Sequence, residues 1–142
     1  MQADKKITLA IQGLQSDPSH ETDESQLITS GYLTLSGDTA RLQYEEDDEE
    51  SGHIVTQIEL GQGMVRVNRS GPFHANFAFK KGCQCKSVFV TPVGRLEMEA
   101  FPTDVDYTIG EEEGSVKLSY QLSMQGQYVG LNHIRINYWG NA

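Results

Sequence analysis

Ser115 to Met124 reads SVKLSYQLSM, and its apolar residues fall on every second position: Val116, Leu118, Tyr120, Leu122 and Met124. The residues between them, Ser115, Lys117, Ser119, Gln121 and Ser123, are all polar. Side chains of an extended chain alternate between two faces, so this segment predicts a β-strand with one apolar and one wet face. A helix would need apolar residues three and four apart, and no segment keeps that spacing for three turns.

The same alternation recurs on both sides of this segment. It runs through Lys6 to Leu14, Leu27 to Leu35, Thr39 to Glu45, Ile54 to Leu60, Met64 to Arg69 and Ala75 to Phe79. It continues through Cys85 to Thr91, Gly94 to Phe101, Val105 to Ile109 and Gln127 to Trp139. Between the runs stand short turn signals such as Ser36-Gly37-Asp38, Gly61-Gln62-Gly63, Pro92-Val93-Gly94 and Gln125-Gly126. These are too short for helical crossovers, so neighbouring strands pair antiparallel as a meander. A meander leaves raw edges unless it closes, and an all-β antiparallel barrel of about eight to ten strands is expected. In the last run the apolar set changes phase between Val129, Leu131 and Ile134, which places a β-bulge near Asn132-His133. Ser16 to Ser25, SDPSHETDES, reads as a mobile loop.

At 142 residues the chain makes one domain, residues 1–142. The formal net charge of −9 argues against nucleic acid and against anionic membranes, both of which select basic surfaces. No run of about 18 apolar residues is present, and the first residues lack the pattern of a signal peptide, so a cytoplasmic location is expected. If Cys83 and Cys85 lie on one strand, their side chains point the same way. Two thiolates are half of a tetrahedral zinc site, and reduced structural thiols are the simpler reading.

The run Glu45 to Glu50, EEDDEE, lacks the spaced ligand pattern of a calcium loop and reads as a solvated hairpin tip, as does Glu111 to Glu113. His20, His53, His74 and His133 show none of the spacings of a metal site. Neither a metal nor a cofactor is expected.

Asn68 to His74, NRSGPFH, contains a glycosylation sequon and a Ser70–His74 pair. The sequon needs a secretory route. The pair would need an orienting group and an oxyanion hole, and a plain turn accounts for the stretch. Arg69 shares the parity of inward-facing Val65 and Val67, so its charge calls for a carboxylate, carbonyls or a bound anion.

The pieces GMVRVNRSG, FAFKKG, TPVGRLEME and EEEGSVKLSYQLSMQGQYVGLN, in this order after KITLAIQG and TSGYLTL, resemble the YwiB-like family of small bacterial proteins of unknown function. The likeness runs roughly from Ile7 to Ile136 and implies a lipocalin-like, calycin-type meander barrel, with no reaction attached. This chain departs from the family pattern at Val90 and Val93, where a histidine and an aromatic flank the Thr-Pro pair. Lipocalins set a tryptophan of the first strand against a basic residue of the last. Here Arg135 could be that basic residue, but the only tryptophan is Trp139.

The leading expectation is a binding module holding a small, partly apolar ligand in the barrel's interior or mouth. Phe77, Met98, Tyr120 and Met124 would form the wall and Arg69 the polar anchor. The same side chains could instead simply fill the barrel. The second expectation is an interaction or regulatory protein that recruits a basic partner through its acidic outer surface or a strand edge. No catalytic constellation is visible, so an enzyme is not expected.

Overall fold

A computed structural model describes residues 4–19, 21–48 and 52–140. His20 and the last two residues of the acidic run, Glu49 and Glu50, lie outside the described residues. Among the described residues ten strands follow one another: β1 (Lys5–Ser16), β2 (Thr22–Ser36), β3 (Thr39–Asp48), β4 (Gly52–Gly61), β5 (Met64–Ser70), β6 (His74–Lys80), β7 (Cys85–Thr91), β8 (Gly94–Thr108), β9 (Glu113–Met124) and β10 (Gln127–Gly140). Each pairs antiparallel with its sequence neighbour, and β1 pairs with β10 from Ile7↔Gly140 to Ser16↔Leu131, so the sheet closes into a barrel.

Three sequence expectations need correction. Gly94 to Phe101 and Val105 to Ile109 are not separate strands. Most of both lies in β8, where a register shift between Pro102 and Asp104 adds one residue and returns Val105 and Tyr107 to the inner face. The bulge of β10 lies between Tyr128 and Gly130, not at Asn132-His133. Asn132 is therefore already in phase with Ile134, Ile136 and Tyr138, and Leu131 pairs with outward Gln121. The loop expected over Ser16 to Ser25 is shorter, because Ser16 pairs with Thr22 and β1 and β2 zip almost to their tip. That tip is tied by Asp17 Oδ1, which accepts from the backbone amides of Ser19 and Glu21 at 3.0 and 2.9 Å.

The buried core is concentrated toward one end. Ile7, Leu9, Leu42, Val65, Ala100 and Val116 are fully buried there, with Phe79 and Tyr138 beside them. Full burial of one such large side chain contributes about 1.5–3 kcal/mol. Tyrosines tie this end shut. The Tyr138 hydroxyl donates to the Gly110 carbonyl at 2.8 Å and accepts from the Gly110 amide at 3.0 Å. Its ring lies on Gly114, where any Cβ would stand 2.4 Å from ring atoms. The Tyr107 hydroxyl accepts from the Gly63 amide at 2.9 Å, joining β8 to the β4–β5 turn. A ten-stranded barrel is wider than the eight-stranded kind whose interior side chains just fill. Toward the opposite end the inward residues are accordingly more polar and more often only half-buried.

Candidate functional site

That opposite end is lined by the continuation of the inward parities. On β3 the inward set Ala40, Leu42, Tyr44 reaches Glu46, and on β5 the set Val65, Val67 reaches Arg69. β4 lies between them, with Thr56 in register with both Tyr44 and Arg69. Arg69 arches over β4 and donates from Nη2 to Glu46 Oε1 at 2.8 Å. The guanidinium carbon also stands 5.5 Å from the centre of the Phe73 ring, whose neighbour Phe89 lies at 5.0 Å. The arginine thus has a carboxylate on one side and an aromatic face on another, the two partners its planar cation suits best.

All five residues expected from the sequence share this interior. Phe77 stacks on Phe79 at 5.4 Å, and Phe79 meets Tyr120 at 4.8 Å. Met98 and Met124 are direct partners across β8 and β9. Tyr120 is largely buried beside Phe79, and burial pushes its phenol up to about 12 against the pull of the Arg69 charge. Burial also raises the Tyr44 phenol, opposed by Thr56 and Arg69 and reinforced by Glu46. Both phenols therefore stay protonated at neutral pH and can donate a hydrogen bond.

Two residues essential to this geometry escaped the sequence reading. Glu46 was hidden in a run read as wholly solvated, although its parity with Ala40, Leu42 and Tyr44 signals an inward position. Asn132 was hidden by the misplaced bulge. It faces Tyr120 across the β9–β10 ladder. Its Nδ2 atom and Arg69 Nε are buried, with no hydrogen-bond partner among the described residues. Thr56 Oγ1 is also unpaired, close enough to Tyr44 to bias its hydroxyl but outside hydrogen-bond geometry. A buried polar atom left unpaired costs about 1–3 kcal/mol, so such atoms in one interior are a signal.

The described histidines, His53, His74 and His133, lie on the outer wall, whereas Cys85 packs against the core. His53 sits between two carboxylates, with Nδ1 2.6 Å from Asp47 and Nε2 2.8 Å from Glu45. The acidic run thus divides by parity, Glu46 turning in to Arg69 while Glu45 and Asp47 hold a histidine outside. Ser70 and His74 are ladder partners, but no hydrogen bond joins them among the described residues. His133 instead meets Ser119, Nδ1 to Oγ at 2.7 Å, on the outer face of β9 and β10. Cys83 and Cys85 are both free, and among the described residues no group of three or more metal-ligating side chains converges.

A closed, ten-stranded antiparallel barrel with one tyrosine-tied end and one end lined by an arginine–carboxylate pair defines the class of this protein. The family model described as a domain of unknown function, DUF1934, matches residues 9–136, and the chain belongs to that family. It is 23% identical over 142 residues to the uncharacterized beta-barrel protein YwiB of Bacillus subtilis (strain 168), covering 100% of this chain and 99% of that one. The crystal structure of ywiB protein from Bacillus subtilis superimposes with a TM-score of 0.86 at 22% identity, over 98% of this chain and 94% of that one. The likeness bears out the closed all-β barrel.

Proposed function

We propose that the arginine-lined end of the barrel binds a small, partly apolar ligand carrying an uncharged hydrogen-bond acceptor, such as an amide, ester or lactone carbonyl. The observation that carries this reading is the pair of buried, unpartnered donors, Arg69 Nε and Asn132 Nδ2, among apolar and aromatic side chains. A ligand acceptor would supply the partner each lacks. Glu46 already neutralises Arg69, which disfavours a carboxylate or phosphate head and favours a neutral one. Phe77, Met98, Tyr120 and Met124 would contact the apolar part. The reading involves no chemical step, and the free thiols suit a cytoplasmic setting. Recruitment of a basic partner by the acidic outer surface has only the net charge in its favour.

Native mass spectrometry of the protein purified from its own host provides the test, together with thermal melting against a library of neutral acyl compounds and their acids. A retained mass, or a melting shift confined to neutral compounds and lost in Arg69→Met and Asn132→Leu, is expected. A clean apo mass with no shift from any compound would overturn the reading.

A further inference from the structure

Between Gly61 and Leu96 the chain carries six basic residues and no acidic one, in a protein of formal net charge −9. The meander gathers this segment into one sector of the wall, β5, β6, β7 and the start of β8. Arg69 turns inward, whereas Arg66, Lys80, Lys81, Lys86 and Arg95 are exposed. The sector is a basic stripe on an otherwise acidic barrel.

The same sector contains the weakest closure of the sheet. β5 and β6 pair along their whole length, as do β7 and β8, but β6 and β7 share the single ladder pair His74↔Val90, plus the bridge Lys80↔Cys83 at their turn. Side chains stand in for the missing backbone bonds at two places. The Ala78 amide donates to Cys85 Sγ at 3.4 Å, a weak acceptor, and the Ser87 hydroxyl donates to the Asn76 carbonyl. Over this seam lies an outer groove of about 420 Å³, lined by Arg66, Asn76, Ala78, Cys85 and Lys86, with Glu59 its one carboxylate. Beside it β7 presents Val88 and Val90, 37% and 36% exposed, on alternate positions.

We propose that this seam receives an extended, acidic peptide segment of a partner protein. Backbone groups along incompletely paired strands call for main-chain hydrogen bonds, which an extended peptide provides and a nucleic acid does not. Carboxylates of the segment meet Arg66 and Lys86, and its intervening apolar side chains meet Val88 and Val90. The expected partner is thus acidic, opposite in sign to the one the net charge alone suggests.

The probe is a fluorescein-labelled peptide of about ten residues alternating Glu and Val, with a Gln–Val counterpart, titrated against the intact chain at low salt. The Glu–Val peptide is expected to bind, roughly ten-fold tighter than Gln–Val, and to lose roughly ten-fold with the paired reversal Arg66→Glu and Lys86→Glu. Bound peptide should slow amide exchange in residues 76–79 and 86–90. If the reversed chain fails to fold, Arg66→Gln with Lys86→Gln serves instead. Absence of Glu–Val binding would overturn the proposal, as would equal binding of Gln–Val or affinity unchanged in the folded variant. So would equally tight binding of a single-stranded oligonucleotide of the same charge. Self-association of the chain abolished by the same substitutions would assign the seam to a second copy and overturn it equally.

Discussion

Arg69 and Glu46 meet across an intervening strand, Nη2 to Oε1 at 2.8 Å, with the pair only partly exposed at 39% and 27% of their side-chain surface. Partial exposure limits what such a pair contributes, because water and salt screen it. Glu46→Gln is expected to lower stability by about 0.5–1 kcal/mol in urea unfolding, less at high salt. A loss of several kcal/mol, insensitive to salt, would mean that the pair is far better shielded than its surface area implies.

His53 predicts a pH dependence of definite sign. Hydrogen bonds donated by the ring to Asp47 and then Glu45 favour the imidazolium, so its pKa lies above the ordinary 6.5. Its contribution to stability is therefore complete below about 6.5, the unfolded value, and is lost as pH rises through the higher folded value. An NMR titration of the ring protons should give a midpoint above 6.5, and His53→Gln should flatten stability over that window. A midpoint at or below 6.5 would contradict the paired geometry.

Tyr138 both donates to and accepts from Gly110 at the closed end. Tyr138→Phe keeps the ring on Gly114 and removes both bonds, leaving the backbone groups of Gly110 unpaired. A cost of about 1–3 kcal/mol is expected, with faster amide exchange at Gly110. Unchanged exchange there would show that water replaces the hydroxyl.

Phe79 is 2% exposed and contacts both Phe77 and Tyr120. Phe79→Ala should cost about 3–5 kcal/mol, from lost transfer energy and the cavity left behind. Phe79→Leu should recover most of that loss. If the two variants unfold at the same denaturant concentration, the wall has collapsed into the space and the interior around Phe79 is softer than its packing indicates.

Much of the fold was legible because a half-buried strand writes its two faces into alternate residues, as Ser115 to Met124 does. Errors fell where one residue is added to that alternation. The insertion at β10 was read at Asn132 because Leu131, an apolar residue on the outer face, mimicked the earlier phase. The break in β8 looked like two strands because Pro102 interrupts the pattern at the point where the chain bulges. Of the candidate site, the apolar wall and Arg69 could be found by parity. Glu46 could not be separated from its acidic neighbours by composition, since an inward and an outward carboxylate have the same chemistry. The β6–β7 seam left no mark, because both strands alternate normally and only their mutual register fails.

The pairing of Ile7 with Gly140 has a consequence for how the chain reaches its fold. Among the described residues nine of the ten ladders join strands that follow one another, and this one brings the first and last strands together. Local ladders close small loops and form early, whereas closing a loop of the whole chain carries the greatest entropy cost and comes last. A circular permutant with a short linker from Gly140 to Lys5 and new ends in the Gly37-Asp38 turn turns the slow closure into a hairpin. It should keep the barrel and shift the slow folding phase, by stopped-flow fluorescence, to pairing between β2 and β3.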